Sequence, residues 1–176
     1  RRVGVVYAGR MTYRNIKNHY VLIGFNELSI NMIRELYDEC PSARILLMSG
    51  MESATVRHRI QSALPVEVER QVLVYFGNIE SIEELQRLNI ESAIEVYVLG
   101  DEERYGRDAK NIAIVHLVST LRGKCYDGKM MPVYVQFDSI PSYSNIQKMN
   151  LPPEVFCIEG KPNIFLSLIH ISEPTR

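Results

Sequence analysis

The chain has few cysteines, and none is placed for chemistry. Cys40, Cys125 and Cys157 are odd in number and form no Cys-x-x-Cys pair. That argues against a disulfide framework or a zinc site and for reduced thiols in a cytoplasmic compartment. No apolar run approaches the roughly 18 residues of a membrane span, and no secretory leader is visible. An excess of one charge is lacking too. A net charge of −1 and a pI near 6.5 give no electrostatic footprint for nucleic acid. There is no Gly-x-Ser-x-Gly elbow, no Walker-type loop and no cysteine near a histidine. The histidines (His19, His58, His116, His170) are scattered, and His116, within an apolar helical stretch, is expected at a buried or interface position. No enzyme activity is expected from this set of residues.

What is present suits one soluble domain. The 176 residues are 46% hydrophobic and 23% charged, enough for a sizeable core and a solvated surface. The first residues, Arg1-Arg2, lack an initiator methionine, so the chain is expected to be a fragment with further segments upstream. Residues 1–18 read as a basic arm or linker, 19–165 as the domain, and 166–176 as an irregular tail, a junction artefact without functional weight. Short Val-, Ile-, Leu- and Tyr-rich runs at 20–24, 44–49, 71–76, 94–99, 132–137 and 155–159 predict six strands, most of them apolar on both faces. Helices are predicted at 27–39, 80–88, 108–121 (ending at Gly123) and 143–149, from apolar residues at helical spacing. Residues 53–63, before Pro65, read either as a surface helix or as a crossover helix with a long exit loop. Such alternation predicts a Rossmann-like, doubly wound, mostly parallel six-stranded α/β sheet with helices on both faces.

The segment "HYVLIGFNELSINMIRELYDE" (19–39) has the outline of a dinucleotide-binding turn. In the fingerprint Gly-x-Gly-x-x-Gly, the first glycine permits the bend, the second admits the pyrophosphate, and the third lets the helix pack closely. Gly24 meets the first requirement, but Asn26 and Ser29 stand at the other two. The acidic residue that holds a ribose should close the second strand, and that strand ends in Ser49-Gly50 instead. The turn is expected to survive and the pocket to be degenerate, with NAD(H) or another nucleotide an uncertain ligand.

The stretch "VYFGNIESIEELQRLNIESAIEVYVLGDEERYGRDAKNIAIVHLV" (74–118) resembles the N-terminal domain of RCK proteins, the regulators of K⁺ conductance, also called TrkA-N domains. Gly77-Asn78, Leu85 to Ile90, Ser92-Ala93-Ile94, Gly100-Asp101 and Asn111 carry the match, and "NHYVLIGFNE" (18–27) resembles the same domains' opening. The Gly-Phe-Asn turn is similar to that of Castor/Pollux-like channel domains, and 89–99 with 108–115 to the gating rings of calcium-activated potassium channels. The likeness spans about residues 18–160. It implies a cytosolic gating or ligand-sensing domain of a potassium or other cation channel or transporter. It further implies membrane pore segments upstream, a place on the cytoplasmic side of the membrane, and pairing of copies through flanking helices such as 108–121. Asn26, Ser49 and Asn78 depart from the nucleotide-binding members, which implies no obligatory NAD. Two alternatives remain open: the NAD(P)-binding domain of an oxidoreductase, and a ligand-free structural Rossmann domain.

The candidate ligand-facing residues are therefore Gly24, Phe25, Asn26, Glu27, Ser29, Ser49, Gly77, Asn78, Gly100, Asp101 and Asn111. No metal site is expected. The weaker candidates Asp101, Glu102, Glu103 and Asp108 cluster in "GDEERYGRD" (100–108), but a solvated loop with Asp108 capping the next helix accounts for them more simply.

Overall fold

The computed structural model describes residues 5–7, 10–13, 15–103, 105–139 and 148–158, with side chains from Tyr13 onward. The elements run β1 (Val5–Tyr7), β2 (Arg10–Thr12), β3 (Tyr20–Ile23), α1 (Ser29–Glu39), β4 (Ile45–Ser49) and α2 (Ser53–Ala63). They continue with α3 (Val66–Glu69), β5 (Val72–Phe76), α4 (Ile82–Leu85), β6 (Glu95–Val98), α5 (Arg107–Leu121), β7 (Val133–Val135) and β8 (Val155–Cys157). All six predicted strands form, and they make one sheet in the order β5-β4-β3-β6-β7-β8, every neighbouring pair parallel. The chain therefore winds outward from β3 through β4 to β5, then returns to lay β6 on the other side of β3. That reversal leaves a crevice beyond the C-terminal ends of β3 and β6, where doubly wound sheets bind ligands.

The strands are apolar on both faces because helices cover both. Tyr20 and Leu22, Ile45 and Leu47, and Tyr97 and Leu99 point into a core shared with Met32, Ile33 and Leu36 of α1 and Val56 and Ile60 of α2. Val21 and Ile23, Leu46 and Met48, Val96 and Val98, and Val133 and Val135 face the other core, with Leu85, Ile114, Val115 and Val118. Each fully buried aliphatic side chain contributes roughly 1.5–3 kcal/mol of transfer free energy. The two faces thus fix register as well as stability, since a one-residue slip would exchange them.

Several boundaries differ from the sequence reading for local reasons. Helix α1 begins at Ser29, not 27, because the Asn26 side chain accepts from the Leu28 N–H (2.9 Å) and holds 26–28 in a turn. Helix α4 is a single turn capped by Ser81. It tightens into 3₁₀ turns at Gln86–Leu88 and Ile90–Ser92, separated by the left-handed Asn89 (φ 48°). Helix α2 occupies 53–63 as predicted and is the crossover from β4 to β5. Helix α5 ends at Leu121 with Arg122 already extended, and Gly123 is no left-handed cap but lies against the Glu91 carbonyl, where a Cβ would clash. The stretch read as an arm carries the β1-β2 hairpin, and it joins the packed body before residue 19. Tyr13 and Ile16 are buried, and Asn89 Nδ2 donates to the Ile16 carbonyl at 2.6 Å. His116 is exposed and so not buried within the domain, one of the two positions expected for it, because the helix turns Ile114, Val115 and Val118 inward instead. The predicted helix 143–149 falls almost wholly, and the tail 166–176 wholly, outside the described residues.

Candidate functional site

At the switch point two glycines meet. Gly24 (φ 97°) and Gly100 (φ 78°) both adopt backbone conformations that L side chains rarely take, and a Cβ on Gly24 would fall onto the Gly100 backbone. The Gly24 N–H donates to the Met48 carbonyl at 2.7 Å, and the Gly100 N–H to the Ile23 carbonyl at 3.0 Å. The turn after β3 is thereby locked to the strand ends on both sides. The first glycine of the fingerprint is kept for this close approach.

Asn26 fills the space that the second glycine would leave open. It is 2% exposed. Its Nδ2 lies within hydrogen-bond distance of the carbonyls of Leu99 (3.1 Å) and Gly100 (3.0 Å) and of Gln136 Oε1 (3.1 Å), and its Oδ1 accepts from the Leu28 N–H. The Asn26 N–H donates to Ser29 Oγ at 2.9 Å. One amide side chain thus ties the β3 turn to the ends of β6 and β7. Asn111 extends the same knot from α5, donating Nδ2 to the carbonyls of Leu99 (3.0 Å) and Gln136 (2.9 Å).

Asp101, the residue after Gly100, lays its carboxylate over the turn. Oδ1 accepts from the Phe25 N–H (2.9 Å) and the Ser49 hydroxyl (2.6 Å), and Oδ2 accepts from the Gly50 N–H (3.0 Å). Ser49 is fully buried and accepts in turn from the Met51 N–H at 3.0 Å. The position where a ribose-binding acid is expected therefore holds a hydroxyl directed at an internal carboxylate. Phe25 points away from the crevice into the core, 1% exposed, with the Arg59 guanidinium 5.9 Å from its ring.

Arg107 opens α5 and is 2% exposed. Its Nε donates to Asp138 Oδ2 (2.9 Å), Nη2 pairs with Asp138 Oδ1 and with Glu27 Oε1 (3.3 Å), and Nη1 donates to the Asp101 carbonyl (3.2 Å). Burial alone would lower its pKa, but the bonds and charges of Asp138 and Glu27 outweigh that, and the net direction is upward. A planar fork suits this multidentate role better than an ammonium would.

The four acidic candidates of the 100–108 loop do not converge. Asp101 faces the turn, Glu102 pairs with Arg59, and Glu103 lies 3.6 Å from Lys110. Asp108 does not cap its own helix, which is preceded by the left-handed Gly106 without a side-chain cap. It accepts instead from the N–H groups of Asp138 (2.7 Å) and Ser139 (3.2 Å) and from the Ser139 hydroxyl (2.7 Å). Burial raises its pKa, but those bonds and Arg107 bring the net shift downward. Among the described residues no group of three or more acidic, histidine or cysteine side chains is placed to hold a metal.

Two clefts adjoin the turn. One, of about 180 Å³, is lined by Gly50, Asn78, Asp101, Lys110 and Asn111 among others. The second, of about 400 Å³, runs over Phe76, Gly77, Asn78 and Glu84. Asn78 Oδ1 accepts from the Glu80 N–H at 3.0 Å, folding the post-β5 loop on itself, while Gly77 donates its N–H to the Ser49 carbonyl at 3.0 Å. Gly24, Phe25, Asn26, Glu27, Ser29, Ser49, Gly100, Asp101 and Asn111 are thus brought together around the switch point, with Gly77 and Asn78 across the cleft. Sequence reasoning missed Arg107, Gln136 and Asp138. Gln136 was the detectable one, a lone amide closing the apolar run 132–137.

No protein-family model matches the chain, and no curated protein matches it. Solved structures do. The GsuK RCK domain superposes with TM-score 0.55 at 13% identity over 81% of this chain and 26% of that one. The TrkA-N domain of the inner membrane protein ybaL from Escherichia coli superposes with TM-score 0.51 at 16% identity over 90% of this chain and 99% of its own. A GsuK channel bound to NAD (TM-score 0.53, 13% identity, 81% of this chain, 22% of that chain) has the same fold. The chain therefore spans about a quarter of the GsuK chains it is similar to.

Proposed function

We propose that this chain, an RCK/TrkA-N-type Rossmann domain by fold, is the regulatory domain of a potassium or other cation channel or transporter, with its nucleotide seat closed. The expected doubly wound sheet and the shared architecture with RCK and TrkA-N domains support the first part. A single observation carries the second: the Asp101 carboxylate, held by Phe25, Ser49 and Gly50, lies over the turn that presents phosphate-facing amides in dinucleotide binders. Asn26 and Gln136 fill the adjoining space, so the candidate residues serve the fold's own bonding and not an external diphosphate.

In this reading the domain sits on the cytoplasmic side of a membrane and acts by moving against a second copy. A ligand or partner biases such a gate only through unequal affinity for two arrangements. Among the described residues no helix is long and apolar enough to cross a membrane, so the pore would be supplied by other segments. Pairing through α5 would use its outer face, where Ala109, Ala113, His116 and Thr120 are exposed beside the half-buried Ile112 and Leu117. Sedimentation of the chain at tens of micromolar would show a monomer–dimer equilibrium, and a strict monomer would remove the pairing from the proposal.

Two measurements test the whole. The transcript surrounding the coding region of residues 1–176 should encode two or more apolar spans of about 20 residues. An open reading frame without them refutes the channel reading. Melting of the chain with NAD, NADH, ADP and ATP should show no stabilisation. A bound ligand at about 100 times its dissociation constant would add roughly 2.7 kcal/mol, and a shift of that size refutes the closed seat.

A further inference from the structure

The partners of Asp101 have an unusual composition. Two backbone amides, Phe25 and Gly50, and one hydroxyl, Ser49, from two different strand ends converge on a single carboxylate. Among the described residues, the arginine beside it, Arg107, bonds the Asp101 main-chain carbonyl and not the carboxylate. A set of neutral donors aimed at one point, without a cation, is the way protein backbones bind anions. Beside it lies the cleft of about 180 Å³, where Asn111 Oδ1, fully buried, has no hydrogen-bond partner. A Cβ on Gly100 would fall 2.7 Å from that oxygen and 2.9 Å from Arg107 Cγ, so only a glycine fits between Asn111 and the Asp101 segment.

We propose that the Asp101 carboxylate is a tethered occupant of an intact anion-binding turn and is the residue that excludes phosphate-bearing ligands, in particular nucleoside diphosphates, from it. The donors remain competent. What they lack is vacancy, because a carboxylate fixed to the neighbouring strand end competes at an effective concentration in the millimolar range or above. A free diphosphate must displace it, and the cleft lined by Asn111 is where the displaced group or the ligand's sugar hydroxyl would go. This deepens the closed-seat reading and rests on it.

The test is titration of the full chain and of Asp101→Ala with ADP and with inorganic diphosphate, followed by calorimetry and by the amide resonances of Phe25 and Gly50. The wild-type chain should show no saturable binding at about 1 mM ligand, and Asp101→Ala should acquire it, with an apparent Kd at least roughly tenfold below that limit. Asp101→Asn keeps the shape and loses the charge, so it should bind more weakly than Asp101→Ala and still better than wild type. It also supplies the test if the alanine variant does not fold. If neither variant folds, the wild-type Phe25 and Gly50 resonances decide: unmoved by diphosphate they support exclusion, and saturable shifts overturn it. Folded variants that lose thermal stability and bind nothing would overturn the proposal while leaving the closed seat standing. Binding of ADP by the wild-type chain would overturn both.

Discussion

Replacing Asn26 by alanine removes the amide that joins three strand ends, and the cost can be worked out group by group. The Leu99 carbonyl keeps a partner, since Asn111 also donates to it at 3.0 Å. The Leu28 N–H, the Gly100 carbonyl and Gln136 Oε1 lose the bond Asn26 makes to each. Gln136 is 9% exposed and can turn toward solvent, but the Leu28 amide is buried. A lost bond that leaves a buried group unpaired costs about 1–3 kcal/mol. With one group rehydrated, two remain unpaired, and Asn26→Ala should therefore cost about 2–6 kcal/mol. Asn26→Gly, which restores the fingerprint glycine, should lose as much, because the bonds and not the backbone angle hold the turn. Urea unfolding would read this as a fall in midpoint at constant m. A loss below about 1 kcal/mol for both variants would refute the idea that this side chain was exchanged for ligand space.

Two further outcomes follow from the geometry. Gly24→Ala combines a left-handed backbone with a clash against Gly100 and should cost more than about 3 kcal/mol; a soluble, cooperatively melting variant would contradict the close approach. His19 is fully buried, its Nε2 2.9 Å from the Leu88 carbonyl, and burial lowers its pKa from 6.5 despite that bond. Below that value the unfolded chain binds more protons than the folded one, so the urea midpoint should fall between about pH 7 and pH 5. The slope should flatten in His19→Gln, and an unchanged slope would exonerate His19.

The sheet was legible because burial on both faces leaves no polar alternation in the strands: Tyr20–Ile23 and Ile45–Ser49 are buried throughout. The parallel, doubly wound arrangement followed from the same alternation of elements, through the handedness that parallel crossovers obey, whereas the order β5-β4-β3-β6-β7-β8 is seen only in the fold. The site was legible only as a list of missing glycines and acids. Asn26 and Ser49 were visible as departures, but their new partners lie 73 to 110 and 52 residues away along the chain, and no local pattern encodes such pairings. Asp101 was read both as a ligand-facing candidate and as one acid of a charged loop, because neighbouring Glu102, Glu103 and Asp108 share its chemistry. Only the fold separates the one that turns inward from those that pair with Arg59, Lys110 and the Asp138–Ser139 backbone. For His116 the sequence left burial and an interface position open, because helical spacing fixes which residues share a face but not which face meets the sheet; the fold turns it outward.

The buried guanidinium at the start of α5 has a mechanical consequence. Its fork grips the loop after β7 through Asp138, the segment before α1 through Glu27, and the crest after β6 through a main-chain oxygen. Any tug that rotates this helix end is delivered at once to three loops on the same rim of the sheet. A force applied from outside the domain would thus arrive at the glycine crossing without needing a ligand to carry it there.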